Sequence, residues 1–334
     1  MRKTLIIAEA GVNHNGDIKL AKKMITAAKN SGADIVKFQS FTADNLVTKS
    51  ADKAEYQKVT TSKKESQFNM LKSLELSQEA HFLLQEFCKK KRIEFLSSAF
   101  DVEGLKFLKT MRPKRFKIPS GEITNYPYLK LVASFEKEVI LSTGMANMKE
   151  IKDAFKLLKE SGLPRRKIKI LHCNTEYPSL LEDINLRAMV EINNKLGVEV
   201  GYSDHTTSVL VPSIAVALGA KIIEKHFTLD RKLPGPDHSA SLIPQEFKKM
   251  VENIRNTELS LGNGIKKPSK SEKKNINIVR KSIVAKCKIK KGEKFTEDNL
   301  IAKRPGKGIN PMFWKKVIGR KAKKAFKKDD FIVL

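Results

Sequence analysis

The chain has 334 residues, with 65 Lys and Arg against 37 Asp and Glu, for a formal net charge of +28; 53 of the basic residues are Lys. At 40% hydrophobic and 31% charged it is too apolar for a disordered polymer and can bury a sizeable core. So large a positive charge suggests nucleic acid or an anionic surface. However, residues 263–334 carry +17 and the first 262 residues only +11, so the basic character belongs mostly to the tail. Aromatics there (Phe295, Phe313, Trp314, Phe326, Phe331) recur at no fixed spacing. A solvated lysine surface and a functional field both fit that pattern.

Three widely spaced cysteines, Cys88, Cys173 and Cys287, give neither a disulfide framework nor a CxxC metal site. The basic start followed by Leu5-Ile6-Ile7-Ala8 mimics a signal peptide, but Glu9 ends the apolar run too early. The apolar stretch 209–223 is too short to span a bilayer and contains Pro212, Gly219 and Lys221. These features predict a soluble, cytoplasmic protein with no membrane partner.

Along the chain, short β-branched runs fall at residues 4–10, 34–40, 93–100, 115–122, 138–145, 168–174, 199–205 and 221–228. Amphipathic stretches separate them, among them 18–31, 78–91, 148–161, 207–218 and 244–261, several closed by a glycine such as Gly32, Gly162 or Gly262. Near-continuous apolar strands alternating with helices are parallel strands covered on both faces. Eight such units in about 250 residues predict a (β/α)8 TIM barrel, α/β in class. No GxGxxG follows the first strand to favour an open doubly wound sheet. The polar, Lys-rich stretch 42–66 is expected to form a long loop above the barrel. The barrel is assigned to residues 1–262, a basic linker to 263–280, and a small, mostly β module to 281–334, where short apolar pieces alternate with turns such as Lys291-Gly292-Glu293.

Barrel active sites lie where strands end, and polar residues crowd those positions here. In order they are Glu9 with Asn13 and His14; Lys37 and Gln39; Ser97 and Ser98; Lys117, Ser120 and Glu122; Ser142 and Thr143; His172, Asn174, Thr175 and Tyr177; Ser203, Asp204 and His205; and Glu224, Lys225 and His226. Residues two apart share a face of a strand, and a purely structural strand has no need of buried polar groups that cost ~1–3 kcal/mol when unpaired. Five of the six histidines fall at or just past strand ends, and His81 lies within a helix, where packing explains it. His205 and His226 end consecutive strands and could share one divalent ion or simply be hydrogen-bonded barrel residues. Lys37 and Lys117 sit inside apolar runs, where a cation needs an anion: a phosphate- or carboxylate-bearing substrate, or an internal bridge to Glu9 or Glu122.

The strings IIAEAGVNHNG, VKFQSF, FLSSAF, FKIPSGE, LSTGM, LHCNTEYP, GYSDHT, EKHFTLD and GPDH occur in order, and with them the chain resembles the sialic acid (N-acetylneuraminate) synthase family. KRPGKGI in the tail resembles that family's C-terminal antifreeze-like (SAF) domain. The strings AEAGVNHNGD, VKFQSF and GIKKPSKSEKKNINIVRKS look closest to the N,N′-diacetyllegionaminate synthase branch. The resemblance implies condensation of phosphoenolpyruvate with an N-acetylated mannose-type sugar, giving a nonulosonic acid and phosphate. The implied sugar is 2,4-diacetamido-2,4,6-trideoxymannose, the alternatives being N-acetylneuraminate or pseudaminate synthesis.

The resemblance also implies roles. His205 and His226 would hold a divalent metal, Mn2+ or Mg2+. Lys37, Ser98, Lys117, Ser120, Ser142 and Ser203 would hold phosphoenolpyruvate. Glu9, Gln39, Glu122, Tyr177 and Asp237 would surround the sugar and reacting carbons, with Glu9, Glu122 and Lys37 catalytic. Arg304 would reach the sugar of a partner subunit in a domain-swapped homodimer. In the sialic acid branch an Asn takes the place of Thr175, whereas here Asn174 comes one residue earlier, so both are candidates to face the ligand. Sugar specificity is expected in the 42–66 segment, in 174–177 and in the SAF module. A nucleic-acid or polysaccharide binder would use the tail but leave the strand-end residues unexplained.

Overall fold

The structure, a computed structural model, describes residues 3–61 and 65–334. Met1 and Arg2 of the basic start and residues 62–64 of the 42–66 segment lie outside that range. The chain divides into two units, Met1–Gly262 and Asn263–Leu334.

The first unit is a closed, all-parallel barrel of β1 (Leu5–Gly11), β2 (Ile35–Ser40), β3 (Glu94–Ala99), β4 (Arg115–Ile118), β5 (Glu138–Ser142), β6 (Ile168–Cys173), β7 (Glu199–Asp204) and β8 (Ile222–His226), with β1 pairing β8 to close it. The outward side chains, such as Ile6, Ala8, Val36 and Phe38, pack against the surrounding helices in the main core. The inward ones form a separate plug of Ile7, Ile35, Leu96, Ile140, Leu171 and Ile222. Gly201 stands where β7 would add to that plug, because a Cβ there would sit 2.3 Å from the Ile222 carbonyl oxygen and 2.6 Å from the Leu171 side chain.

Two residues beyond five of the six plug residues the same inward face turns polar: Glu9 after Ile7, Lys37 after Ile35, Ser98 after Leu96, Ser142 after Ile140, and Glu224 after Ile222, while Cys173 follows Leu171. A strand's period of two therefore stacks an apolar floor beneath a polar layer. The helices close on their own local signals. Asp17 accepts from the Lys19 backbone N–H ahead of Ile18–Asn30, and Asn147 with Glu150 forms a capping box ahead of Met148–Glu160.

Three elements differ from the sequence reading. The fourth strand ends at Ile118 rather than continuing to residue 122, because Pro119 has no N–H for a ladder and Ser120–Glu122 form a 3-10 turn. The helix expected over 207–218 runs only Val211–Ala217, since the Thr206 and Ser208 hydroxyls accept backbone N–H groups at Ser208, Leu210 and Val211 and hold the preceding residues in turns. The 42–66 stretch contains helices Ala43–Leu46 and Glu55–Thr60 and is followed by Gln67–Leu74.

The second unit holds the antiparallel pair β9 (Ser282–Ala285) and β10 (Leu300–Lys303), further isolated bridges, and its own small core around Ile283, Phe295 and Phe326. Within the expected linker, Lys270–Val279 is a helix with no buried residue, started by a Ser269–Glu272 capping box. No helix among the described residues is long and apolar enough to cross a membrane.

Candidate active site

The polar layer and the loops above it line a cavity of about 380 Å³, within the usual range for small-molecule sites. A depression of about 740 Å³ on the flank, beside Thr42, Glu75 and Asp101, is wider. Of the eight buried side-chain atoms without a hydrogen-bond partner among the described residues, four belong to residues of the smaller cavity, Glu9 Oε2 (ion-paired with Lys37), Ser142 Oγ, Glu224 Oε2 and His226 Nδ1, and none to the wider one. Each such atom costs ~1–3 kcal/mol unless something meets it, so chemistry rather than volume selects the site.

Its centre is a buried ionic cluster. Lys37 Nζ lies 2.9 Å from Glu9 Oε2 and 3.6 Å from Glu224 Oε1, and donates to Ser98 Oγ at 3.2 Å. Lys117 Nζ lies 3.4 Å from the same Glu224 oxygen, to which Ser203 also donates at 3.2 Å. Gln39 Nε2 donates to Glu9 Oε1 at 3.0 Å. Burial raises the Glu9 pKa despite the opposing effect of Lys37. Burial opposes the Lys37 charge, but Glu224 and Glu9 outweigh it and raise its pKa. Burial likewise opposes the Glu224 charge, and Lys117 and Lys37 outweigh it and lower its pKa. Lys117 is left short of a counter-charge: burial lowers its pKa, Glu224 compensates in part, and the neighbouring Lys37 lowers it further. Lys37 thus has Glu9 as well as Glu224, whereas Lys117 has only the Glu224 oxygen it shares with Lys37, and an incoming anion would supply its missing partner.

His205 and His226 stand on the β7–β8 side with ring centroids 5.4 Å apart. Burial pushes His205 down to about 4, although the Asn174 carbonyl oxygen accepts from its Nδ1. Burial, reinforced by His205, holds His226 well below the ordinary histidine range. Both imidazoles are therefore neutral near pH 7, as metal ligation requires, and the Asn174 contact leaves the His205 Nε2 lone pair toward the cavity. His226 Nδ1 has no hydrogen-bond partner among the described residues, and Asp237 Oδ2 lies 3.9 Å from it. Burial pushes the Asp237 carboxyl up to about 7. No cluster of three or more His, Cys, Asp or Glu set to hold an ion occurs among the described residues, so a metal here would rely on two histidines and on substrate or water oxygens. The Tyr177 ring stacks on His205 at 4.2 Å and meets His226 edge-on, and the Tyr56 ring lies 5.0 Å from it.

Of the residues singled out in the sequence, Glu9, Lys37, Gln39, Lys117, Ser120, Ser142, Thr175, Tyr177, Ser203, His205, His226 and Asp237 line this cavity. Ser98 acts through Lys37. Asn174 does not line it: its side chain accepts from the Glu176 backbone and the Ser179 hydroxyl, and Thr175 faces the space instead. Glu122 also stands outside the lining, its carboxylate accepting from Asn125 at 2.6 Å. Arg304 follows β10 in the second unit and is exposed. The internal bridge considered for Lys117 goes to Glu224 rather than Glu122. Glu224 is the residue the sequence reading left without a role, although its spacing from His226 pointed inward. The other three strand-end histidines are engaged elsewhere, His14 with the Gly16 backbone N–H, His172 with the Ile184 carbonyl and His238 with Thr228 and Asn15. Gly144 fits beneath Thr175 and Ser120 only because it lacks a Cβ, which would lie 2.4 Å from Thr175 Cγ2.

Residues 24–266 match the NeuB family. The chain belongs to that family. Residues 280–334 match the SAF domain. The N,N′-diacetyllegionaminic acid synthase of Campylobacter jejuni is 54% identical over 332 residues, covering 99% of each chain. The enzyme of the same name from Legionella pneumophila is 48% identical over 94% of this chain and 89% of its own. Among solved structures, the N-acetylneuraminic acid synthetase of Leptospira borgpetersenii, in complex with citrate, superposes with a TM-score of 0.72 at 36% identity, covering 82% of this chain and 90% of its own. The strand-end motifs thus belong to a NeuB barrel, and the tail to a SAF domain.

Proposed function

We propose that this chain condenses phosphoenolpyruvate with 2,4-diacetamido-2,4,6-trideoxymannose to give N,N′-diacetyllegionaminate and phosphate. As a NeuB-family member it is a phosphoenolpyruvate-dependent nonulosonic acid synthase, a transferase. The choice of sugar is the finer reading, supported by the higher identity to the two legionaminic acid synthases than to the neuraminic acid synthetase.

The observation that carries the reading is the Lys37–Glu224–Lys117 arrangement, two buried cations on one shared carboxylate at the floor of the cavity. A substrate bearing both carboxylate and phosphate supplies the missing negative charge, with the hydroxyls of Ser120, Ser142 and Ser203 as further donors along the same lining. Held there, phosphoenolpyruvate presents C3 toward the β7–β8 side, where the sugar aldehyde belongs. Bond formation between C3 and the aldehyde carbon leaves C2 electron-poor, water adds to C2, and the resulting tetrahedral centre releases phosphate. In this reading the ionised Glu9 takes the proton of that water, and burial, by raising its pKa, makes the carboxylate a stronger base. Lys37 and Lys117 contribute positioning and charge stabilisation in a dry site.

His205 and His226 fit a divalent ion, Mn2+ or Mg2+, because both are neutral and buried and His226 Nδ1 lacks a partner. When bound, such an ion supplies a Lewis acid for the aldehyde oxygen. The reading includes a homodimer in which Arg304 of one subunit reaches the sugar of the other.

The test is phosphate release with phosphoenolpyruvate, Mn2+ and a sugar panel: N-acetylmannosamine, 2,4-diacetamido-2,4,6-trideoxymannose and its altrose-type isomer. Preference for the second is expected, and preference for N-acetylmannosamine overturns the choice of sugar. Treatment with EDTA is expected to abolish turnover and Mn2+ to restore it; full activity in EDTA removes the metal from the reading.

A further inference from the structure

The lining of the cavity is divided by chemistry. The floor and the β7–β8 side are polar, whereas the side above β1, β2 and β3 is apolar and comes mostly from the chain between β2 and β3. Val12, Phe41, Met70 and Leu74 form a buried cluster there, with Leu46 and Leu71 packed on it and only partly covered, and all six face the cavity. Of the two glutamines of the same wall, Gln57 is engaged at both ends, its Oε1 accepting from the Ala54 backbone at 3.0 Å and from Gln67 Nε2 at 3.5 Å and its Nε2 donating to Tyr56 at 3.4 Å, and Gln67 is tied to it by that one bond.

Strand order fixes what this wall meets. His205 and His226, at the ends of β7 and β8, mark the aldehyde end of the sugar; β3 and β4 lie across the closed barrel from them with β2 alongside, so a sugar chain extending toward the β2 and β3 side brings its far end against this wall. We propose that the apolar wall built around Leu46 and Leu71 is the specificity determinant for the far end of the sugar. It selects a sugar whose distal carbons carry methyl groups, as in a deoxy terminus or an acetamido substituent, over one that ends in hydroxyls. This rests on the reading of the cavity as a nonulosonic acid synthase site.

The physical basis is asymmetric. A methyl group against the wall leaves water at no polar cost, gaining about fourfold in affinity per group buried. A hydroxyl in the same place surrenders water hydrogen bonds that Leu46, Leu71, Met70 and Leu74 cannot replace. An apolar pocket of this kind discriminates against an added hydroxyl by about a hundredfold.

The experiment measures kcat/KM for 2,4-diacetamido-2,4,6-trideoxymannose and for N-acetylmannosamine in the full chain and in Leu71→Gln, Leu46→Asn and Leu71→Met. The ratio of the two values is expected to shift about tenfold toward the hydroxylated sugar in Leu71→Gln and Leu46→Asn. The change should fall on KM for the sugar while KM for phosphoenolpyruvate stays within twofold, and Leu71→Met should restore the ratio. If both polar variants melt at the wild-type temperature and leave the ratio unchanged, the proposal is overturned. A parallel loss of phosphoenolpyruvate affinity overturns it too, because the wall would then act on the whole site. A wild-type preference for N-acetylmannosamine would instead defeat the choice of sugar under the proposed function, and the shift of the ratio in the variants would still decide the role of the wall.

Discussion

At the N-terminal end of the barrel, Arg115 bridges Glu94 at 2.8 Å and Glu138 at 2.6 Å, and Lys169 pairs with Glu199. Arg115 and Glu138, like Lys169 and Glu199, face each other across neighbouring strands. At the C-terminal end, Lys37 and Lys117 share Glu224 within the barrel, and Ser142 Oγ, Glu224 Oε2 and His226 Nδ1 have no hydrogen-bond partner. The residue types are alike, yet the lower set keeps partial contact with water and each of its cations has a carboxylate of its own, whereas the upper set is buried and Lys117 has only the Glu224 oxygen it shares with Lys37. Charge at strand ends does not distinguish a structural clasp from a binding site; the balance of pairing and burial does.

Four measurements test that contrast, beginning with the largest effect. Lys117→Met should lower phosphate-release turnover by roughly 10²–10³-fold, the scale of losing one charge-stabilising donor, while its melting temperature stays near wild type. Turnover within threefold of wild type would place Lys117 with the structural clasps. Lys225 provides a third case at the same height but on the outer face. It is fully buried and lies 2.6 Å from Asp204, with the Thr206 carbonyl as a second partner. Lys225→Met strands a buried carboxylate, so the denaturation midpoint should report a loss of about 3–5 kcal/mol; an unchanged midpoint would show that burial does not set the penalty.

Acid lability should reveal the buried histidines of the upper end. Burial pushes His14 down to about 4 from its ordinary 6.5. The unfolded chain then binds a proton that the folded chain refuses, so its contribution is present above about pH 6.5 and is lost as pH falls toward 4. The loss is on the order of 3 kcal/mol. Melting curves across that range should show it, and His14→Gln should flatten the slope; an identical slope would remove His14 as its source. The smallest effect is expected at the lower end, where Arg115→Ala should cost about 1–2 kcal/mol of stability and leave turnover at the wild-type value. A fall in turnover at matched stability would show that the two ends are coupled.

Much of the site was legible because strand periodicity is local. Lys37, Ser203 and His205 point inward for the same reason as Ile35 and Gly201, and a two-residue step along each strand carries the face upward. The position of Glu122 was not legible, because Pro119 ends the strand and in the 3-10 turn that follows its carboxylate accepts from Asn125. Asn174 and Thr175 could not be separated in the sequence, since adjacent residues exchange roles with a small rotation of the backbone. The Glu176 backbone and Ser179 then claim the asparagine side chain. Glu224 was undervalued because its meaning depends on Lys117, a residue 107 positions away in the sequence.

By itself, then, the sequence determined the barrel, its inward-facing layers and the family motifs at the strand ends, because periods of two and of 3.6 and the capping signals act over a few residues. It also located most of the positive charge in the tail. Only the tertiary structure decided which carboxylate the two buried lysines share, which histidines face the cavity, and that one wall above them is apolar. Those outcomes depend on closing β8 against β1 and folding the β2–β3 insertion over the rim, contacts between residues far apart in the chain that no local pattern encodes.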